Sequence, residues 1–198
     1  MRIRYKISAV VITALLLLTL AGCGNNGNNP ESAGPTETVS ASVDPSPAQP
    51  SESAKETGFD VGDIMSDFSV PMVGGGTFTL SENLGKPVFI NVYATWCPPC
   101  VGEMPEINKL YTELGDQVTF IAIDLGEDEA TAQNFADTNS YTLPFAYSLD
   151  GAPFGADYNF DYIPQTFVLS ANGTIVWSNI GASDYKGFKA AIDAALAQ

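Results

Sequence analysis

At 198 residues, with 45% hydrophobic and 16% charged residues, the chain has the length and balance of a globular protein with one sizeable core. Eight lysines and arginines stand against 23 aspartates and glutamates, a net charge of −15, and no arginine follows Arg4; a basic patch, and with it nucleic-acid binding, is excluded. The lack of histidine and the count of three cysteines leave too few soft or imidazole ligands for four-coordinate zinc.

The chain opens with Arg2, Arg4 and Lys6, followed by an apolar run from Ile7 to Leu20 and then Ala21-Gly22-Cys23. A basic start, an apolar middle and small residues before a cleavage point make a secretory signal over residues 1–22. The apolar run is shorter than the roughly 20 residues that a permanent bilayer span needs. Leu20-Ala21-Gly22-Cys23 resembles the lipobox of bacterial lipoproteins, which implies lipidation of Cys23 as the mature N-terminus. An ordinary cleaved signal with an incidental cysteine is the alternative. Two or three acyl chains anchor stably where one is marginal. The acidity of the chain disfavours docking on anionic lipid, so such an anchor holds the domain near the membrane, not on it.

Residues 23–57 then comprise that cysteine and a tether dominated by Asn, Gly, Ser, Pro, Thr, Ala and Glu, with almost nothing large and apolar to bury. Its reach as a coil is on the order of 30 Å. Residues 58–198 make one domain. In it, Asp67–Val70 and Thr77–Leu80 flank Gly74-Gly75-Gly76 and predict a hairpin. The β-branched and aromatic run Val88–Tyr93 predicts a buried strand. A short turn delivers Cys97, and a helix follows with Met104, Ile107, Leu110, Tyr111 and Leu114 on one side. Val118–Asp124 predicts a second buried strand, which makes a β-α-β unit with parallel strands and a right-handed crossover. A helix is expected over Asp128–Asn139 on Ala130, Ala132, Phe135 and Ala136. A hairpin over Thr166–Ser178 turns at Asn172-Gly173, and a last helix runs from Tyr185 to Ala197.

Cys97 thus falls where a strand ends and a helix begins. The partial positive charge and free N–H groups of a helix N-terminus favour a thiolate there. Cys100, one turn on, is within reach of a disulfide with Cys97. A bare C-x-x-C is shared by redox pairs, half zinc sites and structural disulfides. The ligand count excludes zinc, and Val101 excludes the C-x-x-C-H haem attachment. A structural disulfide stays open, although so short a loop removes little unfolded-state entropy.

Asn91-Val92-Tyr93-Ala94-Thr95-Trp96-Cys97-Pro98-Pro99-Cys100, then Glu103-Met104-Pro105, then Ile163-Pro164-Gln165-Thr166-Phe167-Val168-Leu169, resemble the TlpA/ResA branch of the thioredoxin-like family. The resemblance covers essentially the whole domain. It implies a thioredoxin-like α/β fold, a central mixed sheet flanked by helices, with an N-terminal β-hairpin and a central insertion at about residues 125–149. It implies a membrane-tethered, extracytoplasmic thiol-disulfide oxidoreductase whose only redox group is its cysteine pair, without cofactor or metal. Cys97 matches the exposed attacking cysteine and Cys100 the buried resolving one. Ile163-Pro164 matches an Xaa-cis-Pro element facing the disulfide, where the Ile163 backbone pairs with an incoming polypeptide. Trp96 is expected to shield the pair and contact substrate, with packing alone as the alternative. Glu103 matches a glutamate that relays protons for the pair, its pKa raised by burial, while Pro105 is expected to kink the helix. Asn91 stands where cytosolic thioredoxins carry a buried aspartate, which removes one proton acceptor.

The resemblance further implies a membrane electron donor and an exported client protein with a disulfide; apocytochrome c and methionine sulfoxide reductase are client types of relatives. Three rival readings stand beside it. A disulfide-forming oxidase of the DsbA kind usually has histidine in the dipeptide and a large helical insert, neither evident here. A peroxiredoxin is suggested by Thr95 two residues before Cys97, but that chemistry relies on an arginine. A non-catalytic lipoprotein binding module would use the disulfide structurally.

Overall fold

A computed structural model describes residues 56–156 and 158–198. The signal, Cys23 and the tether as far as residue 55 lie outside the described residues. In chain order, a short parallel pair, β1 (Thr57–Gly58) and β2 (Ile64–Met65), leads into the antiparallel hairpin β3 (Ser69–Pro71) and β4 (Thr77–Thr79). The expected Gly-rich turn is there, with Gly74, Gly75 and Gly76 all at positive φ, a conformation only glycine adopts without strain. The strands are shorter than the sequence suggests. Asp67 leaves the ladder to accept from Ser81 N and Oγ at 2.9 and 2.7 Å, which ties off the base of the hairpin.

Next come β5 (Val88–Tyr93), helix α1 (Pro98–Leu114), β6 (Thr119–Leu125), helix α2 (Glu129–Asn139), β7 (Phe145–Ser148), β8 (Gln165–Leu169), β9 (Ile175–Ile180) and helix α3 (Tyr185–Leu196). The five strands form one mixed sheet in the order β7-β6-β5-β8-β9. β5 lies at its centre, parallel to β6 and antiparallel to β8, and all six of its residues are buried. The segment expected as the insertion supplies α2 and the edge strand β7, which pairs parallel with β6.

Alternation along β5 sorts two cores. Phe89 and Tyr93 pack with Met104, Ile107 and Leu110 of α1, Phe135 of α2 and Phe188 and Ile192 of α3, so all three helices cover one face. Val88, Ile90 and Val92 face the hairpin residues Val70 and Phe78 and the loop residue Phe154 on the other. Residues 149–156 and 158–164 are largely irregular but aromatic-rich: Phe154 contacts Phe59, Phe68, Tyr158, Phe160 and Phe167 at ring separations of 4.5–5.8 Å. Each fully buried side chain of this size stabilises by about 1.5–3 kcal/mol. On α2 the expected stripe needs one correction. Ala130 is exposed and Ala132, Phe135 and Ala136 are buried, because Asp128 caps the helix and puts Ala130 in its outward first turn. Pro105 sits inside α1 without interrupting it.

Candidate active site

The site is assembled where β5 ends. Ala94 O accepts from Cys97 N at 3.1 Å, closing a turn, and Cys97 is the N-cap of α1 with Pro98 and Pro99 in its first two positions. Proline is tolerated there because those N–H groups have no helical partner. Cys97 and Cys100 form a disulfide, with their Cα atoms 5.3 Å apart. Cys100 is fully buried, as expected for the resolving member. Cys97 corrects the expectation of an open attacking cysteine: only 5% of it is exposed. The cover comes from the segment leading into β8, whose Ile163 carbonyl oxygen lies 3.8 Å from Cys97 Sγ. The Ile163–Pro164 bond is cis, as expected, and Pro164 O accepts from Gly181 N at 2.8 Å. Trp96 is 68% exposed beside the disulfide.

Behind the disulfide lies a buried polar network. Glu103 is 3% exposed; its Oε1 accepts from Asn91 Nδ2 at 2.8 Å and its Oε2 from Ser183 N at 2.9 Å. Asn91 Nδ2 also donates to Thr166 Oγ1 at 2.9 Å. Burial pushes the Glu103 carboxyl up to about 7, against the pull of its hydrogen bonds from Ser183 and Asn91. Asn91 thus takes no proton itself but holds the group that can.

A second acidic cluster, which sequence reasoning missed, adjoins the opposite flank of β5. Glu127 accepts from Thr95 N at 2.6 Å and from Thr95 Oγ1 at 2.8 Å. Asp124, fully buried, is the register partner of Tyr93 and is pushed up to about 7, by burial first and by the Glu127 charge second. The Tyr93 hydroxyl and the Glu127 carboxyl both act on the Asp124 carboxyl, at separations outside ordinary hydrogen-bond geometry. The signal available in sequence was the acid ending an otherwise apolar strand, Ile121-Ala122-Ile123-Asp124. Among the described residues no group of three or more cysteine, aspartate or glutamate side chains is placed to hold a metal ion.

Three comparisons bear on this geometry. The Redoxin family matches residues 60–196. The thioredoxin-like protein YneN of Bacillus subtilis is 34% identical over 144 residues, 71% of this chain and 84% of that protein. The thiol-disulfide oxidoreductase ResA of Geobacillus kaustophilus is 34% identical over 122 residues, 61% of this chain and 70% of that one. A crystal structure of a thiol:disulfide interchange protein of the thioredoxin family from Chlorobium tepidum superposes with a TM-score of 0.58 at 26% identity, over 66% of this chain and 93% of that one. A candidate thiol:disulfide interchange protein DsbE from the same organism gives 0.64 at 25%, over 70% and 99%.

Proposed function

The chain belongs to the Redoxin family and is a thiol-disulfide oxidoreductase, and from that premise we propose that it works as a reductase of disulfides in exported client proteins, tethered outside the cytoplasm through Cys23. In the reduced enzyme the Cys97 thiolate attacks one sulfur of a client disulfide. The other client sulfur leaves as a thiolate and takes up a proton, and a mixed disulfide remains. Glu103 accepts the proton of Cys100, whose thiolate then attacks Cys97 Sγ. The Cys97–Cys100 bond forms, the second client thiol leaves, and two electrons have passed to the client. A dithiol donor in the membrane restores the pair, because thiols outside the cytoplasm drift to the oxidised form.

One observation carries the direction: prolines fill the first two positions of α1. A stabilised thiolate makes a dithiol a strong oxidant, since its reduced form is favoured. Pro98 and Pro99 have no N–H to offer the Cys97 sulfur, so the reduced form gains less and the pair is the better reductant. Insulin reduction, with the midpoint potential measured alongside, tests this. A potential nearer the −270 mV of thioredoxin than the −120 mV of DsbA is expected. A value at the DsbA end would make the protein an oxidase, and no turnover would make it a binding module. For location, Cys23→Ala should release the full-length protein from membranes while insulin reduction persists. Retention of that variant after a salt wash would remove the lipid anchor.

A further inference from the structure

The segment bearing α2 and β7 hydrogen-bonds to the active-site turn through one side chain. Glu127, in the connection from β6 to α2, receives both donors of a single residue, the Thr95 amide at 2.6 Å and the Thr95 hydroxyl at 2.8 Å. Thr95 is the second residue of the turn closed by Cys97 N and Ala94 O. Its amide plane and side chain are therefore both fixed, and little freedom is left to Trp96 and Cys97, which follow directly. Glu127 is held in turn from both sides. Gly126 N donates to Ser148 O of β7 at 2.8 Å, and Asp128 caps α2 through Thr131 N at 2.9 Å. Behind the turn, the Tyr93 ring is packed between Phe135 of α2 and Phe145 of β7 at 5.5 and 5.8 Å.

We propose that Glu127 is a positioning residue for disulfide exchange: its two-point grip on Thr95 sets the turn that presents Trp96 and Cys97 to an incoming disulfide. The inference rests on the exchange reaction proposed above. Attack on a disulfide needs the thiolate in line with the sulfur–sulfur bond, and a displacement of about 1 Å in such a geometry can cost on the order of 100-fold. A carboxylate suits the task because it accepts two hydrogen bonds at once, each strengthened by charge. Glutamine can reproduce the grip, its oxygen accepting from the amide and its NH2 donating to the hydroxyl. Alanine cannot.

The test uses the reduced full-length protein and two probes, insulin and glutathione disulfide, with urea unfolding run on every variant. Glu127→Ala should slow attack on both probes by about 10- to 100-fold, and Glu127→Gln should recover most of that rate. Thr95→Val, which keeps the amide and loses the hydroxyl, should fall between wild type and Glu127→Ala, and it decides the matter if the alanine variant does not fold. Wild-type rates in Glu127→Ala or in Thr95→Val would overturn the proposal. So would a glutamine variant as slow as the alanine one, because charge and not grip would then be the cause. A wild-type protein that reduces neither probe would remove the exchange reading itself, and this inference with it.

Discussion

Glu103 is pulled in two directions. Burial favours its neutral form, while Asn91 and Ser183 favour the carboxylate, and the outcome is a group pushed up to about 7. A carboxyl in that range both accepts and returns a proton near neutrality, which a surface glutamate with the ordinary value of 4.5 does poorly. Glu103→Gln keeps the shape and removes the titration, at the cost of turning its NH2 toward one of the two donors, Asn91 Nδ2 or Ser183 N. Resolution of a Cys97 mixed disulfide should slow by about 100-fold near neutral pH. Its pH profile between 5 and 9 should follow ionisation of the Cys100 thiol alone, with the variant still folded in urea unfolding. Stopped-flow decay of a trapped mixed disulfide reads both, and an unaltered profile would leave Glu103 a packing residue. Cys97, Cys100, Glu103 and Pro164 were legible in the sequence because each stands in a short local motif. Ser183 and Glu127 were not. Ser183 meets Glu103 across 80 positions and Glu127 meets Thr95 across 32, and no local pattern announces a contact made by the return of the chain.

At the scale of an element, α1 couples the site to the core. Its N-terminus faces the disulfide, and its buried stripe of Met104, Ile107 and Leu110 docks it on the sheet. Ile107→Ala should cost about 2–5 kcal/mol in urea unfolding, the range for a cavity in a closed core. The same helix sets the reactivity of its cap. Val101 N donates to Cys97 O at 3.0 Å, so of the first amides mainly that of Cys100 remains to face the sulfur. The thiol should therefore titrate below the usual free-cysteine value of about 8.5 but short of the extreme oxidases. Iodoacetamide alkylation of the reduced protein against pH reads the inflection, and one at or above the free-cysteine value would contradict it. The longer elements were plain in advance from period and punctuation: β5 and β6 from β-branched runs, the last hairpin from Asn172-Gly173, α1 and α3 from their apolar stripes. β7 was not recognised as a strand. Four residues, Phe145-Ala146-Tyr147-Ser148, are too few to show a period, and the strand is made by pairing with β6, which a local reading does not contain.

For the whole molecule, two buried acids govern stability against pH. Glu103 rises from 4.5 to about 7 and Asp124 from 3.8 to about 7, burial being the largest cause in both. Between roughly pH 4 and 7 the folded chain therefore holds protons that the unfolded chain releases, and stability falls as pH rises through that window. The protein should resist urea better at pH 5 than at pH 8, by on the order of 1–3 kcal/mol. Glu103→Gln and Asp124→Asn should each flatten the curve; a stability that climbs from pH 5 to pH 8 would contradict the assignment. The mixed sheet was foreseeable from the order of strands and helices. That all three helices share one face was not, because the opposite face is closed by the N-terminal hairpin and an aromatic loop without regular structure.

That hairpin also seals a margin. Met72 bridges to Ala146 and Val73 N donates to Phe145 O at 2.9 Å, so part of the free side of β7 is already engaged. At the opposite end of the sheet the start of β9 is met by residues 62–64, through Gly62 N to Ile175 O and Ile175 N to Asp63 O, both at 2.9 Å. Among the described residues, the margin left for another strand to join is chiefly the stretch from Val176 to Ile180. A surface that can be extended from both ends invites endless polymerisation, whereas one that can be extended from a single end closes as soon as two copies meet there. The way this sheet is finished thus favours the meeting of two copies over the growth of a fibre.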